Sequence, residues 1–289
     1  MIGALLLLAC GRGAGPQVSA GEGALCAVYS RGQLGCYGEE PTLLDSPRGN
    51  YRQVSLGDAT ACALSDGGNL SCWGESFELS TGAPSGYFLS ISLGNSHACA
   101  LSGDGSVRCW GDDNRGQAHA PPLSYLAVEV GGDVSCAILQ NDSLACWGDD
   151  SLGTPPEGHF VSLDVGDGEA CAIDTEGALA CWPNPAIAFV ELQVEGLQAV
   201  SVGPDTLCTL STEGQASCVS RATNAALPPP AYTFTAIAGG QGYACGFVDG
   251  KDLVCWGDES AFQDQTKTYD PRGKDQSADW QDTGDLGEG

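Results

Sequence analysis

The sequence predicts an all-β chain, a seven-bladed β-propeller built from 36–37-residue repeats with one disulfide inside a hairpin of each blade. Three observations carry this. Fourteen of the fifteen cysteines fall into pairs spaced by ten: Cys26/Cys36, Cys62/Cys72, Cys99/Cys109, Cys136/Cys146, Cys171/Cys181, Cys208/Cys218 and Cys245/Cys255. Successive pairs step by 36, 37, 37, 35, 37 and 37 residues, a periodicity of repeat architectures. Apolar residues alternate with small or polar ones between glycine-bearing turns, which is the period of strands.

Helical repeats of similar length exist, so the local pattern decides. Five residues before each first cysteine stands a glycine: Gly21, Gly57, Gly94, Gly131, Gly166, Gly203 and Gly240. Three before that stands an aliphatic: Val18, Val54, Ile91, Val128, Leu163, Val200 and Ile237. Two after the first cysteine stands another apolar residue: Val28, Leu64, Leu101, Ile138, Ile173, Leu210 and Phe247. Each repeat thus offers three strands and a connection, often Pro-containing ("HAPP", "LPPP"), with room for a short fourth strand. Tryptophans after the second cysteine (Trp73, Trp110, Trp147, Trp182, Trp256) read as packing between blades.

The ten-residue spacing has a geometric reason. In "ACALSGDGSVRCW" a three-residue loop, Gly103-Asp104-Gly105, joins two strands. Such a loop wants a left-handed residue in third place. That place holds Gly32, Gly68, Gly105, Asp142, Gly177, Gly214 and Lys251; Lys251 follows Gly250, so a shifted turn is expected there. With this loop Ser102 faces Ser106 in a hydrogen-bonded pair, and Cys99 faces Cys109 in a non-bonded one. Non-bonded pairs bring side chains closest, which suits a cross-strand disulfide. Loop entropy credits each bridge with about 2–3 kcal/mol as an upper figure.

The leftover cysteine, Cys10, ends an apolar run, Ile2 to Ala9, too short to span a bilayer. Leu7-Leu8-Ala9-Cys10 resembles the lipobox of bacterial lipoproteins, which implies lipidation of Cys10. No basic residue precedes Arg12, unlike a standard signal. An ordinary cleaved signal or a disordered start are the alternatives. The expected domains are a signal peptide (1–9), a lipidated cysteine and tether (10–15), the propeller (16–269) and an acidic disordered tail (270–289). The expected location is extracytoplasmic, in a bacterial cell envelope as an outer-membrane lipoprotein, or secreted. The expected state is a monomer.

The chain carries 37 Asp+Glu against 11 Lys+Arg, a formal net charge of −26. Such a chain repels nucleic acid and anionic surfaces. Clustered metal spacings such as C-x₂-C are absent from the sequence, so fifteen cysteines point to an oxidising compartment. The sequence holds no Gly-x-Ser-x-Gly elbow, phosphate loop or His-Glu-x-x-His. His97 fills a slot held elsewhere by Ala24, Thr60, Val134, Glu169, Thr206 and Tyr243, too variable for a ring of ligands. No enzyme activity and no cofactor are expected.

The stretch "ISLGNSHACALSGDGSVRCWGDDNRGQ" (91–117) resembles the regulator of chromosome condensation repeat, with its Gly-x-x-His, Asp-Gly, Trp-Gly and Gly-Gln elements. The resemblance implies a seven-bladed propeller and protein binding as a habit of the family. Bacterial, exported relatives, some of them β-lactamase inhibitors, look closer than the nuclear founder. A second resemblance-based reading is therefore a secreted inhibitor, which would use exposed aromatics; Phe77 is the main mid-chain aromatic in a connection.

The residues three and four after the second cysteine stand out. They place nine carboxylates, Glu39, Glu40, Glu75, Asp112, Asp113, Asp149, Asp150, Asp258 and Glu259, on repeats 7, 1, 2, 3 and 4. Asn184-Pro185 and Arg221-Ala222 interrupt them on repeats 5 and 6. Turns after the repeat glycine are expected at the same end and add Glu22, Asp58, Asp133, Asp167 and Asp205. Asp is a turn former, so a solvated rim is one reading. An acidic crescent for a cationic protein partner, or for calcium, is the other; no spacing matches an EF-hand loop. A catalytic propeller is the remaining alternative.

Overall fold

The computed structural model describes residues 16–21, 23–38, 40–183, 196–223, 225–258 and 279–280, with backbone alone for 77, 78, 279 and 280. They form seven sheets of three or four strands, one per repeat, antiparallel but for the last pair of the seventh. The inner strands are Gln17–Ala20, Tyr51–Leu56, Phe88–Leu93, Tyr125–Gly131, Phe160–Val165, Leu197–Val202 and Phe234–Gly239. Residues from all seven line one central channel. The middle strands carry the first cysteines and the outer strands the second.

The hairpin register is the expected one. Cys99 lies opposite Cys109 and Leu101 opposite Val107, and the Ser102 N–H donates to the Ser106 carbonyl at 2.8 Å. All seven pairs form disulfides: Cys26–Cys36, Cys62–Cys72, Cys99–Cys109, Cys136–Cys146, Cys171–Cys181, Cys208–Cys218 and Cys245–Cys255, with Cα atoms 4.0–4.1 Å apart.

The two cysteines of a bridge are not equivalent, which the even spacing does not announce. Every first cysteine is buried, because the middle strand is flanked on both sides within its own sheet. The second cysteines sit on outer strands and vary. Cys36, Cys181, Cys218 and Cys255 are buried, whereas Cys72, Cys109 and Cys146 are half-buried. Cys36 joins the core between blades 1 and 2, and Cys218 the core between blades 6 and 7. Cys146 packs at the margin of the core between blades 4 and 5.

The third loop residue has a second task. It is left-handed from Gly32 to Gly214, with φ between +65° and +84°, Asp142 included. Its carbonyl accepts the N–H of the residue that opens the next inner strand: Gly32 from Tyr51, Gly68 from Phe88, Gly105 from Tyr125, Asp142 from Phe160, Gly177 from Leu197 and Gly214 from Phe234. Those six opening residues are all buried. Hairpin loops and inner-strand starts therefore share one end of the molecule, the hairpin end. In blade 7 the turn is shifted as expected: Asp249 and Gly250 take positive φ, while Lys251 keeps its bond to the Val248 carbonyl.

Packing between blades follows from alternation. On each middle strand the cysteine faces the next blade, and its neighbours on either side face the previous one. Those neighbours are small and fully buried in most blades: Ala61 and Ala63, Ala98 and Ala100, Ser135 and Ala137, Ala170 and Ala172. Cys26 packs with Ala61 and Ala63, Cys62 with Ala98 and Ala100, Cys136 with Ala170 and Ala172. Cys99 Sγ lies 3.6 Å from Ser135 Oγ. A buried disulfide fills the space that a small residue on the facing sheet leaves open.

A polar ring ties the inner strands together. In five blades the residue after the repeat aliphatic accepts a hydrogen bond from a backbone N–H of the next inner strand. Ser19 takes Leu56 N–H, Ser55 takes Leu93, Ser92 takes Val130, Asp164 takes Val202 and Ser201 takes Gly239, at 2.7–3.1 Å. Each bond satisfies a buried donor that would otherwise cost its desolvation. Blade 7 has Ala238 there and closes the ring differently. Tyr243 Oη donates to the Gly21 and Ala24 carbonyls at 3.2 and 3.0 Å, and Tyr243 and Phe247 pack with Leu25 and Ala27 of blade 1.

The connections differ from the expected fourth strand. Blades 1 and 2 lead into short helices, Pro41–Leu44 and Phe77–Thr81, and blade 4 into a 3₁₀ turn, Asp150–Leu152. Only blade 6 adds a short antiparallel strand, Ala226–Leu227, among the described residues. Tryptophans hold these segments, as a packing role requires: Trp73, Trp110, Trp147 and Trp256 donate their indole N–H to the carbonyls of Leu43, Leu79, Gln117 and Leu227. Trp182 is buried with no partner for its indole nitrogen among the described residues.

The signal, Cys10 and the tether lie outside the described residues, as does most of the 270–289 tail. Asp279–Trp280 pairs in parallel with Val254 and Cys255 on the outer edge of blade 7. No described helix is long and apolar enough to cross a membrane.

Ala100→Leu would push a branched side chain against the Cys62–Cys72 bridge. The expected loss is about 1–3 kcal/mol, read as a lower urea midpoint with an unchanged m-value.

Candidate binding face

The acidic positions meet at the end opposite the hairpins. In five blades the loop after the outer strand bonds back to the turn after the inner strand: Glu75 N–H to Ala59 carbonyl, Asp112 to Ser96, Asp149 to Asp133, Arg221 to Asp205 and Asp258 to Gly242. The two sets of turns are thus neighbours, as the sequence suggested. They surround a central mouth, a cavity of about 340 Å³ lined by repeat glycines with Asp58, Asn95 and Asp167. Glu22, Glu39, Glu259 and Asn184-Pro185 lie outside the described residues.

The carboxylates at this end divide into two kinds. Some are spent on the loops that carry them. Asp112 accepts from Asn114 and from Gln117 Nε2, and Asp113 from the Ala118 N–H. Asp149 caps the 3₁₀ turn through Ser151 N–H at 2.9 Å and pairs with Arg115, which also lies 3.4 Å from Asp133. Hydrogen bonds from Ser151, then Arg115, hold its carboxyl below the usual range. Asp205 accepts from Gly242 N–H and Thr206 Oγ1. Glu40 is half-buried. Asp58, Glu75, Asp150 and Asp167 are exposed, as is Asp258.

Cations are distributed unevenly. Of the seven described, Arg31, Arg48, Arg52, Arg108 and Lys251 lie at the hairpin end. The two at the acidic end are both paired, Arg115 as above and Arg221 with Glu169. Arg221 was expected as a break in the crescent; instead it is drawn inward. Its side chain is 13% exposed, 2.6 Å from Glu169 and bonded to the Gly203 and Pro204 carbonyls. The sequence held a clue, since Glu169 occupies the His97 slot, where a buried charge needs a partner.

Possible chemistry is internal. His97 is fully buried, and its Nε2 lies 2.8 Å from Ser135 Oγ. Ser135 spends its proton on the Gln117 carbonyl, so His97 must be the donor, the wrong tautomer for a general base. Burial lowers its pKa to about 4, against the pull of Asp133 and Asp112. In the channel, burial pushes Asp164 up to about 6 while N–H bonds from Val202 and Val165 oppose the shift. Glu169, Cys171 and Cys181 have metal-ligand proximity, but both sulfurs are bonded to each other, which removes the thiolates a metal would need.

Replacing His97 tests its role. A depressed histidine pKa contributes stability that is present above 6.5 and lost as pH falls toward 4. The stability advantage of wild type over His97→Gln should therefore shrink between pH 7 and pH 4.5, by urea midpoints. Asp164 acts in the opposite sense, losing stability as pH rises from 3.8 to 6, but cancels in this comparison.

Residues 51–78 and 88–117 match the sequence profile of the regulator of chromosome condensation (RCC1) repeat. No curated protein matches the chain by sequence. In structure the chain is similar to the ectodomain of the receptor kinase CR4 of Physcomitrella patens, at 25% identity over 84% of this chain and 73% of that one, with a TM-score of 0.69. It is similar to the CRINKLY WD40 ectodomain of the Arabidopsis thaliana receptor kinase ACR4, at 25% identity over 84% and 94%, TM-score 0.67. Human WBSCR16, at 13% identity over 81% and 87% with a TM-score of 0.65, shares the fold.

Proposed function

Two of its blades carry the regulator of chromosome condensation repeat and all seven share one plan, so the chain is a propeller of that family; from that premise we propose that it is an exported, lipid-anchored binding protein whose acidic end takes a cationic protein. The observation that carries this reading is the segregation of charge. Exposed Asp58, Glu75, Asp150 and Asp167 stand at an end whose described cations are both already paired. Plain solubility requires no such sorting. A field of one sign speeds the encounter with an opposite partner and fades with salt. The similarity to two receptor ectodomains supports a binding role outside the cytosol, and seven disulfides belong to an oxidising compartment.

The lipid anchor is read from Leu7-Leu8-Ala9-Cys10. Cys10→Ser should move the protein from membrane to soluble fractions with its blades intact. A wild type without acyl mass contradicts the anchor.

Two variants of equal charge test the face. One neutralises Asp58, Glu75, Asp150 and Asp167 as amides. The other neutralises Asp66, Glu157, Glu176 and Glu213, exposed at or near the hairpin end. Partners cross-linked to the wild type in its native envelope should be lost at least tenfold with the first and retained with the second. Equal loss would reduce the effect to net charge, and loss with the second alone would move the site to the opposite end.

A further inference from the structure

The end opposite the acidic face has its own character. Among the described residues the exposed large apolar side chains are Tyr87, Leu123 and Tyr232, at 56%, 48% and 43% exposure. All three lie on the Pro-containing connections just before an inner strand, hence at the hairpin end. Tyr87 lies against the hairpin glycines Gly68 and Gly103, with the Arg52 guanidinium 5.9 Å over its ring. Arg108 reaches the Ser85 carbonyl beside it.

These groups occupy one arc. Cations and exposed apolar side chains sit on blades 7, 1, 2, 3 and 4, where Asp66, Asp104, Asp142, Asp249 and Asp252 are interspersed. Among the described residues the formally charged side chains of blades 5 and 6 at this end are acids: Glu157, Asp174, Glu176 and Glu213. The chain also enters the propeller within the arc, because Pro16 packs 3.7 Å from where a Gly250 side chain would begin. From Pro16 back to Cys10 is six residues, about 20 Å when extended.

We propose that this arc is a bilayer-facing surface: Tyr87, Leu123 and Tyr232 rest at the lipid headgroups among the arginines, and the acidic end points away from the membrane. The inference rests on the lipid-anchor reading and adds an orientation to it. Tyrosine and arginine suit this level because each has an apolar body and a polar tip. The anchor holds the chain at the bilayer by one flexible point, so a second contact at the surface is what fixes its orientation. Blades 5 and 6, whose described charges there are acidic, tilt off an anionic surface.

Lys251 provides a native probe, as the one lysine among the described residues and an exposed one on the arc. Acylated protein is placed in vesicles of phosphatidylethanolamine and phosphatidylglycerol, treated with an amine-reactive ester and mapped by peptide mass. Soluble Cys10→Ser protein beside the same vesicles is the reference. Labelling of Lys251 should fall at least fivefold on anchoring, while a lysine introduced at the other end by Glu75→Lys labels as in the reference. Tyr87→Ser, Leu123→Ser and Tyr232→Ser combined should restore Lys251 labelling to within twofold of the reference without releasing the anchor. Equal reactivity of both lysines in anchored protein, or protection at position 75 instead, overturns the orientation. Absence of acyl mass overturns the anchor, and the orientation with it.

Discussion

The contact on which this structure depends is a disulfide laid flat against small side chains of the next sheet. A lone hairpin is marginal in water, and a small sheet needs an apolar face to bury before it is stable. Here each sheet gains a covalent cross-link at its centre, and the cross-link is also the core. Cys62 against Ala98 and Ala100 shows the unit, and it recurs around the ring. The alternation Ala-Cys-Ala on a middle strand thus encodes both the bond within a blade and the contact between blades. The serine ring along the channel and the loop carbonyls at the hairpin end add polar ties between the same neighbours.

Much of this was legible. Spacing set the hairpin register, because a three-residue loop allows one pairing of the cysteines. The repeat glycines located the turns at the acidic end. What escaped notice lay in relations between repeats. The spacing treats Cys36, Cys146 and Cys218 alike, yet Cys146 is the more exposed of the three, because the cover over an outer strand comes from its neighbours. Ser19, Ser55, Ser92 and Ser201 recur at one slot, but a serine on a strand announces no partner until the next blade is in place. The buried pair of Glu169 and Arg221 spans 52 residues and two blades, beyond the reach of local pattern. Connections were misjudged for a related reason. Whether "PTLL" or "FELST" becomes helix or edge strand is decided by the tryptophan that anchors it, not by its own propensity.

Function is organised by the two ends. Inner strands begin at one and finish at the other, so each repeat contributes a hairpin to the first and a pair of turns to the second. Seven copies magnify any bias in what those loops carry. The cations and exposed aromatics have gathered at the hairpin end and unpaired acids at the other. Asp112 and Asp149 show the limit of counting charges, since their oxygens already serve the loops. The acids left over, Asp58 and Asp167 at the central mouth and Glu75 and Asp150 on the loops after the outer strands, are those free to act on a partner.

The central claim is that the blades exist because of their bridges. Seven bridges at about 2–3 kcal/mol each, as an upper figure, equal or exceed the whole net stability of an ordinary domain, about 5–15 kcal/mol. Far-UV circular dichroism during a thermal scan, with and without a thiol-free phosphine reductant, tests this directly. The oxidised protein should melt in one cooperative transition, and the reduced protein should show no native sheet signal at 25 °C. A reduced protein that keeps its spectrum and melts within a few degrees of the oxidised one would contradict the claim.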